Sequence, residues 1–314
     1  MKKIHKIKLS LLGTFLCVVL CFGFMISPSY AASSLEEGTL IGSATAEQAK
    51  VSAENLQEQV EQAQSEATEE AQSLLDSEAI AAVEETKKAI AAIDSGKSQE
   101  ALQALERATG KLDILLARNP KLAFIPLSST IQVIDVAPQD EQILKDFRNR
   151  LKSAINADNY PEAREILDNL MSEVRTKTLN LPLASYPEAM KEAARLLDTE
   201  QPELAKAVLE TALSTLVITE KNRPIPVINA QTELVGAIAV TQTDKEDAIR
   251  LLEDARRDLQ LAKDLGYANG DKQYSELDRT IESIEKKVRL NKDVASAFSD
   301  LQDKLDNFLD RISA

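Results

Sequence analysis

Apolar residues return every three or four positions along most of the chain from residue 77 onward. The clearest stripe lies in the range 98–118, and its members are Ala101, Leu105, Ala108, Leu112 and Leu115. Polar and charged residues fill the positions between them, which is the pattern of a helix with one buried face. The pattern predicts an all-α protein of stacked antiparallel helical hairpins, bundle-like or repeat-like, with short extended segments.

The middle of the chain repeats this pattern. Counting from Ile93, Ile155, Leu197 and, more weakly, Val240, an alanine stands eight residues later and a leucine twelve residues later. These residues are Ala101, Ala163, Ala205 and Ala248, then Leu105, Leu167, Leu209 and Leu252; the first three units also carry Pro120, Pro182 and Pro224 at matching places. A small residue lets two helices approach and a leucine fills the gap, so each unit is predicted to be one helical hairpin. The units resemble tetratricopeptide-type repeats with a longer, irregular period. The alternative is chance recurrence in an Ala/Leu-rich helical protein.

Two heptad-like seams end the chain. The first consists of Tyr274, Leu277, Ile281, Ile284 and Val288, and the second of Val294, Phe298, Leu301, Leu305, Phe308 and Ile312. The short turn between them, Asn291 to Asp293, predicts that the two helices pack antiparallel. We therefore expect residues 272–314 to form a helical pair that packs on a domain spanning residues 77–271.

Three proline-punctuated segments interrupt the helical pattern, at residues 121–138, 176–182 and 216–228. They are rich in β-branched residues, and each follows a hairpin unit. They are expected either to pair as a small sheet or to lie as extended connections over the hairpin ends. Pro126, Pro224 and Pro226 restrict any strands to edges or ends.

The segment 32–76 is an acidic leader of low complexity. Its apolar residues, from Ala49 to Leu74, form one narrow seam that is mostly alanine. Alanine buries little area, so a helix here would be marginal alone. We predict a mobile stretch up to about Thr45 and then a loosely held or partner-dependent helix; a disordered spacer is the alternative.

The first 31 residues have the pattern of a secretory signal peptide. Four lysines precede an apolar run from Leu9 to Ile26, and Pro28 and small residues follow it. We expect cleavage after Ala31 and an extracytoplasmic protein, most simply periplasmic, with no transmembrane segment in the mature chain. The competing interpretation is an uncleaved membrane anchor, because the run is nearly long enough to span a bilayer.

Removal of the signal would restrict the available chemistry. The chain has no Trp, and its 2 Cys and 1 His all lie before Ala31. The mature protein would therefore lack a nucleophilic Cys, a Ser–His pair, His-based zinc sites and haem ligands of these types. The loss of four lysines takes the net charge from −14 to −18, and an acidic surface disfavours nucleic acid. We predict no cofactor, no metal and no catalytic residue.

Arg107, Lys111 and Arg118 are the candidate ligand-binding residues. They stand at helical spacing, away from the apolar stripe of their helix, where a basic row would suit an anionic ligand or an acidic segment such as the leader. The alternative is a solvated face that pairs locally with Glu106 and Asp113.

One stretch partly resembles a calcium-binding loop. Asn269, Gly270 and Glu276 fall at suitable places if Leu265 is taken as the first position. Leu265 and Tyr267 would then stand where oxygen ligands are required, so the match fails. A turn between two helices at Asn269-Gly270 explains the residues more simply.

The stretch KKAIAAIDSGKSQEALQALERATGKLDILLARNPKLAFIP, residues 87–126, resembles the YfdX family. The motifs that carry the resemblance are Glu100-Ala101, Ala108 to Leu112, Leu115 to Pro120 and the hairpin at Tyr160 to Arg164. The resemblance implies a secreted, mainly helical bacterial protein associated with stress and resistance in the cell envelope. Chaperone-like and small-molecule-binding roles go with the family. It implies no agreed reaction and supplies no catalytic residue.

We therefore expect a non-enzymatic stress-associated protein that binds other proteins or small apolar or cationic ligands in apolar grooves between hairpins. The first alternative is a structural module of the cell envelope that forms homo-oligomers through the leader and the last two helices. A hydrolase that uses only Asp and Glu is a remote second alternative.

Overall fold

The computed structural model describes residues 40–268, 271 and 273–312, with side chains from residue 55 onward except that of residue 310. Residues 50–314 belong to one compact unit. The predicted signal peptide, the turn at Asn269-Gly270 and the amino-terminal part of the leader lie outside the described residues. No helix among the described residues is long and apolar enough to cross a bilayer.

Helices dominate the described chain, which confirms the predicted fold class. The helices are α1 (Leu40–Ser73), α2 (Ser77–Asp94), α3 (Ser98–Arg118), α4 (Glu141–Asn156), α5 (Tyr160–Asp168), α6 (Tyr186–Asp198), α7 (Pro202–Ser214), α8 (Ile225–Val240), α9 (Lys245–Asp264), α10 (Tyr274–Arg289) and α11 (Ala295–Ile312). The strands are β1 (Phe124–Asp135), β2 (Ser172–Pro182) and β3 (Val217–Pro224).

The element order contains one unit three times: a helical hairpin followed by a strand, as α2-α3-β1, α4-α5-β2 and α6-α7-β3. The hairpin turns share one geometry. Gly96, Asp158 and Glu200, each three residues after its anchor, have φ of 70°, 53° and 58°. In each turn the next amide donates to a carbonyl five residues earlier, as in a Schellman motif. The turn after Val240 lacks this positive φ, so the fourth hairpin, α8-α9, differs from the other three.

Burial at the repeated positions follows the prediction with one departure. The four alanines are buried, and so are Leu105, Leu209 and Leu252. Leu167 is 48% exposed, and its neighbour Ile166 is buried instead. The prolines also differ: Pro182 and Pro224 end their strands, whereas Pro120 precedes β1 because α3, with 21 residues, is longer than α5 or α7.

The three extended segments pair as a sheet, which resolves the choice between a sheet and separate connections. The strands run antiparallel in the order β1-β2-β3. Pro126 lies in the edge strand β1 beside a register shift, which is a place where a strand tolerates proline. The third segment is shorter than predicted, because the prolines at 224 and 226 end β3 and place Pro226 in the first turn of α8.

The first and third units share a core. α3 packs on α6 and α2 on α7, and the buried alanines in all four helices permit this close approach. Thr86 lies in this core with its polar atoms satisfied. Its hydroxyl donates to the Ala82 carbonyl at 2.9 Å and accepts from the Tyr186 hydroxyl at 3.1 Å.

The second unit packs elsewhere. Leu144 of α4, Ile166 of α5 and Leu170 form a small cluster with Leu265, which follows α9. Arg148 of α4 also forms an ion pair with Asp264 of α9. The hairpins are therefore not stacked in their order along the chain.

The last four helices, α8 to α11, form a separate bundle. Its core combines the alanine-rich faces of α8 and α9 with the two predicted seams of α10 and α11. Asn291 has φ of 55° in the turn between α10 and α11, which reverses the chain as the sequence predicts. We refer to residues 77–224 as the repeat region and to residues 225–312 as the carboxyl-terminal bundle.

Helix α1 lies on one face of the sheet. Val60, Ala63 and Ala67 of its narrow seam cluster with Val174 of β2 and with two isoleucines of α8. The seam predicted for the leader is thus buried from Val60 to Ala71, although alanine supplies most of it, and its last member, Leu74, is exposed.

Candidate functional site

A mainly apolar groove lies between α6 and α7. Its volume is about 520 Å³, and it is lined by Ser185, Ala189, Glu192, Leu196, Leu204, Ala207, Val208, Thr211, Ala212 and Thr215. A volume of this size falls in the range of small-molecule sites in proteins.

The groove exists because both helices carry more apolar residues than the shared core covers. The core-facing side holds Met190, Ala193 and Leu209, which are buried against α2 and α3. On the outward side Val208 is half-buried and Leu204 is 54% exposed. The small side chain of Ala189 in α6 leaves space between the two helices. The outward side therefore presents apolar surface that no described residue covers.

Glu192 is the charged side chain among the described groove residues. Arg195 donates to its carboxylate at 2.8 Å, and this hydrogen bond holds the pKa of Glu192 below its usual value. The carboxylate is therefore ionised at neutral pH and lies at the edge of an apolar surface. That arrangement suits an apolar ligand or one that combines an apolar body with a positive charge.

Two of the three hydroxyl residues of the groove, Thr211 and Thr215, donate hydrogen bonds to the backbone. Thr211 donates to the Ala207 carbonyl at 2.7 Å, and Thr215 donates to the Ala212 carbonyl at 2.7 Å. Hydroxyls that donate to a carbonyl three or four residues earlier belong to the local hydrogen bonding of their own helix. The geometry of the groove is that of a binding surface.

The three predicted ligand-binding cations lie on one face of the α2-α3 hairpin. Arg107 pairs with Glu85 at 2.7 Å, Lys111 with Glu78 at 2.7 Å, and Arg118 with Asp76 at 3.7 Å. Asp76 is also the N-cap of α2, because its side chain accepts from the amides of residues 78 and 79.

These partners come from across the hairpin rather than from the same helix. Asp113, one of the predicted local partners, lies 3.9 Å from Lys191 of α6 instead. Hydrogen bonds from Lys88 and from Arg107 lower the pKa of Glu85, although its burial opposes them. An anionic ligand on this face would have to displace three carboxylates. Anion binding by Arg107, Lys111 and Arg118 stays a prediction.

The apparent calcium loop has no metal geometry in the part of the chain that the structure describes. Leu265 is buried in an apolar cluster, and Glu276 pairs with Lys304 at 3.2 Å. Among the described residues, no group of three or more Asp, Glu, His or Cys side chains is positioned to hold a metal ion.

Two carboxylates with a raised pKa were not anticipated from the sequence, the buried Glu233 and the half-buried Asp258. Burial, together with the negative charges of Asp258 and Asp254 in α9, raises the pKa of Glu233 in α8 to about 9. Burial also raises the pKa of Asp258 to about 6. One oxygen of Glu233 has no hydrogen-bond partner. The signal was present in the sequence, since Glu233 is the single charged residue in the mainly apolar helix IPVINAQTELVGAIAV.

Comparison with known proteins supports the resemblance seen in the sequence. Residues 82–222 match the model of the YfdX protein family. This range begins inside α2 and ends inside β3, so it takes in the three hairpin-and-strand units. Helices α8 and α9, which the predicted family range of 77–271 included, lie beyond the match.

Among solved structures, the chain is similar to that of YfdX from Salmonella Typhi. The identity is 17%, the alignment covers 47% of this chain and 91% of that chain, and the TM-score is 0.33. No protein with curated annotation matches the chain.

Proposed function

Because residues 82–222 match the YfdX family, we propose that the protein is a non-enzymatic, stress-associated binding protein that acts outside the cytoplasm. Its ligands are small apolar or cationic molecules, or apolar segments of partner proteins. The observation that carries the proposal is the groove between α6 and α7, about 520 Å³ in volume and mainly apolar. The stress association is the one that the family resemblance implies.

Two features of the groove support binding rather than catalysis. Its apolar wall combines Leu196, Leu204 and Val208, and an apolar surface formed by several residues at a groove is typical of a ligand-binding site. Its titratable described side chain, Glu192, is ionised and paired with Arg195, so it does not stand beside a second carboxylate. A hydrolase that uses two carboxylates needs both in one cleft.

Fluorescent probes test the proposal directly. The mature chain is titrated with N-phenyl-1-naphthylamine, which is neutral and apolar, and with auramine O, which is apolar and cationic. We expect saturable binding of both probes. Leu204→Asp should weaken both at least tenfold, because it places a charge in the apolar wall. Glu192→Gln should weaken only the cationic probe.

Leu290→Asp is the matched control for Leu204→Asp. Leu290 is 64% exposed and lies at the end of α10, outside the groove, so its substitution makes the same change in charge and apolar area. Binding that is absent from the natural chain, or that Leu290→Asp weakens as much as Leu204→Asp does, would overturn the proposal.

The extracytoplasmic location has its own test. Cells that express the full chain are separated into periplasmic, membrane and cytoplasmic fractions, and the mass of the protein in each is measured. A periplasmic product that begins at Ala32 supports the proposal. A full-length product in the membrane fraction supports the uncleaved anchor instead.

A further inference from the structure

A second cavity lies between helix α1 and the sheet, apart from the groove described above. Its volume is about 220 Å³, smaller than the usual range of drug-sized sites. Ala67 and Ala71 of α1 form its roof, and the side chains of all three strands form its floor. The cavity exists because the alanine side chains of α1 are too short to reach the floor.

The strand register explains why polar side chains share this floor. Ser129 of β1 is opposite Thr178 of β2, and Thr178 is opposite Thr219 of β3. Thr176 is opposite Lys221 on the same face, because strand residues two apart point to the same side. The floor is therefore a row of hydroxyl groups with a positive charge at its β3 edge.

Two cations of β3 hold one carboxylate of α1 at this edge. Lys221 lies 3.2 Å from one oxygen of Glu70, and Arg223 lies 3.2 Å from the other. Among the described residues that line the cavity, Glu70 is the only acid. A carboxylate thus already sits between the two cations, at the mouth of an unfilled space.

The hydroxyls that line the same cavity as this carboxylate have protons available for donation. The buried side chain of Asn180 donates to the Thr219 hydroxyl at 2.9 Å, so Thr219 keeps its own proton for another acceptor. The hydroxyls of Ser129 and Thr178 are 3.0 Å apart and share one hydrogen bond, which leaves one of their two protons free. A ligand with oxygen atoms would find both a charge partner and hydrogen-bond donors.

We infer that this cavity is a binding site for a small organic carboxylate. The carboxylate of the ligand replaces that of Glu70 between Lys221 and Arg223, and the remainder of the ligand occupies the space under Ala67 and Ala71. Helix α1 stays on the sheet, because Val60 and Ala63 hold it at the apolar end of the same face. Glu70 acts as an internal competitor, so α1 sets the affinity of the site.

Lactate is the probe, because it carries a carboxylate for the cations and a hydroxyl for the threonines. The mature chain, labelled at threonine methyl groups, is titrated by nuclear magnetic resonance. We expect saturable shifts of the Thr178 and Thr219 signals with lactate and none with lactamide, its neutral analogue. Inorganic phosphate distinguishes a carboxylate site from a general anion site.

Three variants test the role of each charge. Lys221→Met and Arg223→Met should each weaken lactate binding at least tenfold. Glu70→Gln should tighten it by about threefold to fivefold, which is in the range expected when the partly exposed ion pairs of Glu70 no longer compete. Glu69→Gln is the matched control, because Glu69 is the exposed neighbouring acid and its loss changes the net charge equally. If Arg223→Met does not fold, Lys221→Met decides the question.

The outcomes separate cleanly. Lactate shifts that are tighter in Glu70→Gln, unchanged in Glu69→Gln and lost in Lys221→Met support the inference. Absence of shifts in both the natural chain and Glu70→Gln overturns it. Equal tightening by Glu69→Gln, or tighter binding of phosphate than of lactate, also overturns it. Leu204→Asp should leave lactate binding unchanged, so this site and the α6-α7 groove succeed or fail separately.

Discussion

The repeat region and the carboxyl-terminal bundle handle buried carboxylates in opposite ways. In the repeat region Thr86 is fully buried, yet its hydroxyl is bonded to Ala82 and Tyr186, and the acid Glu85 is paired with two cations. In the bundle Glu233 is buried with one oxygen unpartnered, and burial raises its pKa. Glu285 is buried too, and its pKa is raised although Arg256 lies 3.5 Å away.

This difference indicates which carboxylates make the stability of the protein depend on pH. A paired carboxylate stabilises the fold once it is ionised, whereas a buried unpartnered carboxylate stabilises it only while protonated. The two regions should therefore respond to pH with opposite signs, although both are built from helices with alanine-rich interfaces.

The largest decrease in the free energy of unfolding is expected when the leucine at the repeated position is replaced by alanine in either region. Leu209 and Leu252 are both fully buried. Leu209→Ala and Leu252→Ala should each lower the free energy of unfolding by about 3 kcal/mol, because each creates a cavity in a packed core. Urea titration followed by circular dichroism measures both. A loss below about 1 kcal/mol at Leu252 would show that the two cores are not equivalent in packing.

Leu167→Ala provides the control within the repeat. Leu167 has the same place in its unit but is 48% exposed. Its loss should cost less than about 0.5 kcal/mol, as for other exposed positions. An effect equal to that of Leu209→Ala would contradict the observed burial of Ile166 in its place.

The next prediction concerns the change of stability with pH, which has opposite signs at Glu233 in the bundle and at Glu85 in the repeat region. Glu233 binds a proton in the folded state up to a pH of about 9 but only up to about 4.5 when unfolded, so stability falls as pH rises between these values. Glu233→Gln removes that cost and should stabilise the protein at pH 7 by about 2 to 3 kcal/mol. The stabilisation that Glu233→Gln provides should become smaller toward pH 5. Unfolding midpoints at pH 5, 7 and 8.5 check this expectation.

Glu85→Gln is the matched substitution in the repeat region. The pKa of Glu85 is lowered, so its contribution is present above pH 4.5 and is lost as pH falls through the folded-state value. The variant should lose about 1 kcal/mol at pH 7, since both cations are partly exposed. If both glutamine variants shifted stability in the same direction, the contrast between the regions would be wrong.

The smallest effects concern the shared hairpin turns. Gly96 has φ of 70°, and a Cβ added there would meet no heavy atom within 4 Å, so Gly96→Ala should cost about 1 kcal/mol through backbone strain alone. Glu200→Gly relieves the same strain in the third unit and should stabilise by about 0.5 kcal/mol. Thr243→Gly, in the bundle turn without positive φ, should not stabilise. The thermal unfolding midpoints of the three variants measure how much each turn changes the stability.

Much of the fold follows from spacing along the chain. The anchors at Ile93, Ile155 and Leu197 each stand at or one residue before the end of the first helix of a hairpin, and their alanines are buried as the pattern predicts. Periodicity identifies the buried face of a helix but not the element that covers it. For this reason the pairing of the first unit with the third, and of α1 with the sheet, was not predictable.

The candidate sites were harder to predict from the sequence than the fold was. Arg107 and Lys111 were recognised as a basic row, but long side chains reach across a hairpin as easily as along a helix, so their partners Glu85 and Glu78 were not identified. The available signal for the α6-α7 groove was that Leu204 and Val208 are apolar residues outside the main apolar stripe of their helix. Lys221 and Arg223 gave no signal, because only the register of β3 against β2 places them beside the hydroxyls.

The central position of β2 has a consequence for the order of folding. The contacts between the two helices of one hairpin are local and can form within microseconds, whereas β2 pairs with strands on both sides of it in sequence. Once the α4-α5 and α6-α7 hairpins close, they bring the ends of neighbouring strands together and shorten the loops that pairing must close. The sheet therefore completes only after the third hairpin has formed, and the face that receives α1 does not exist before that step.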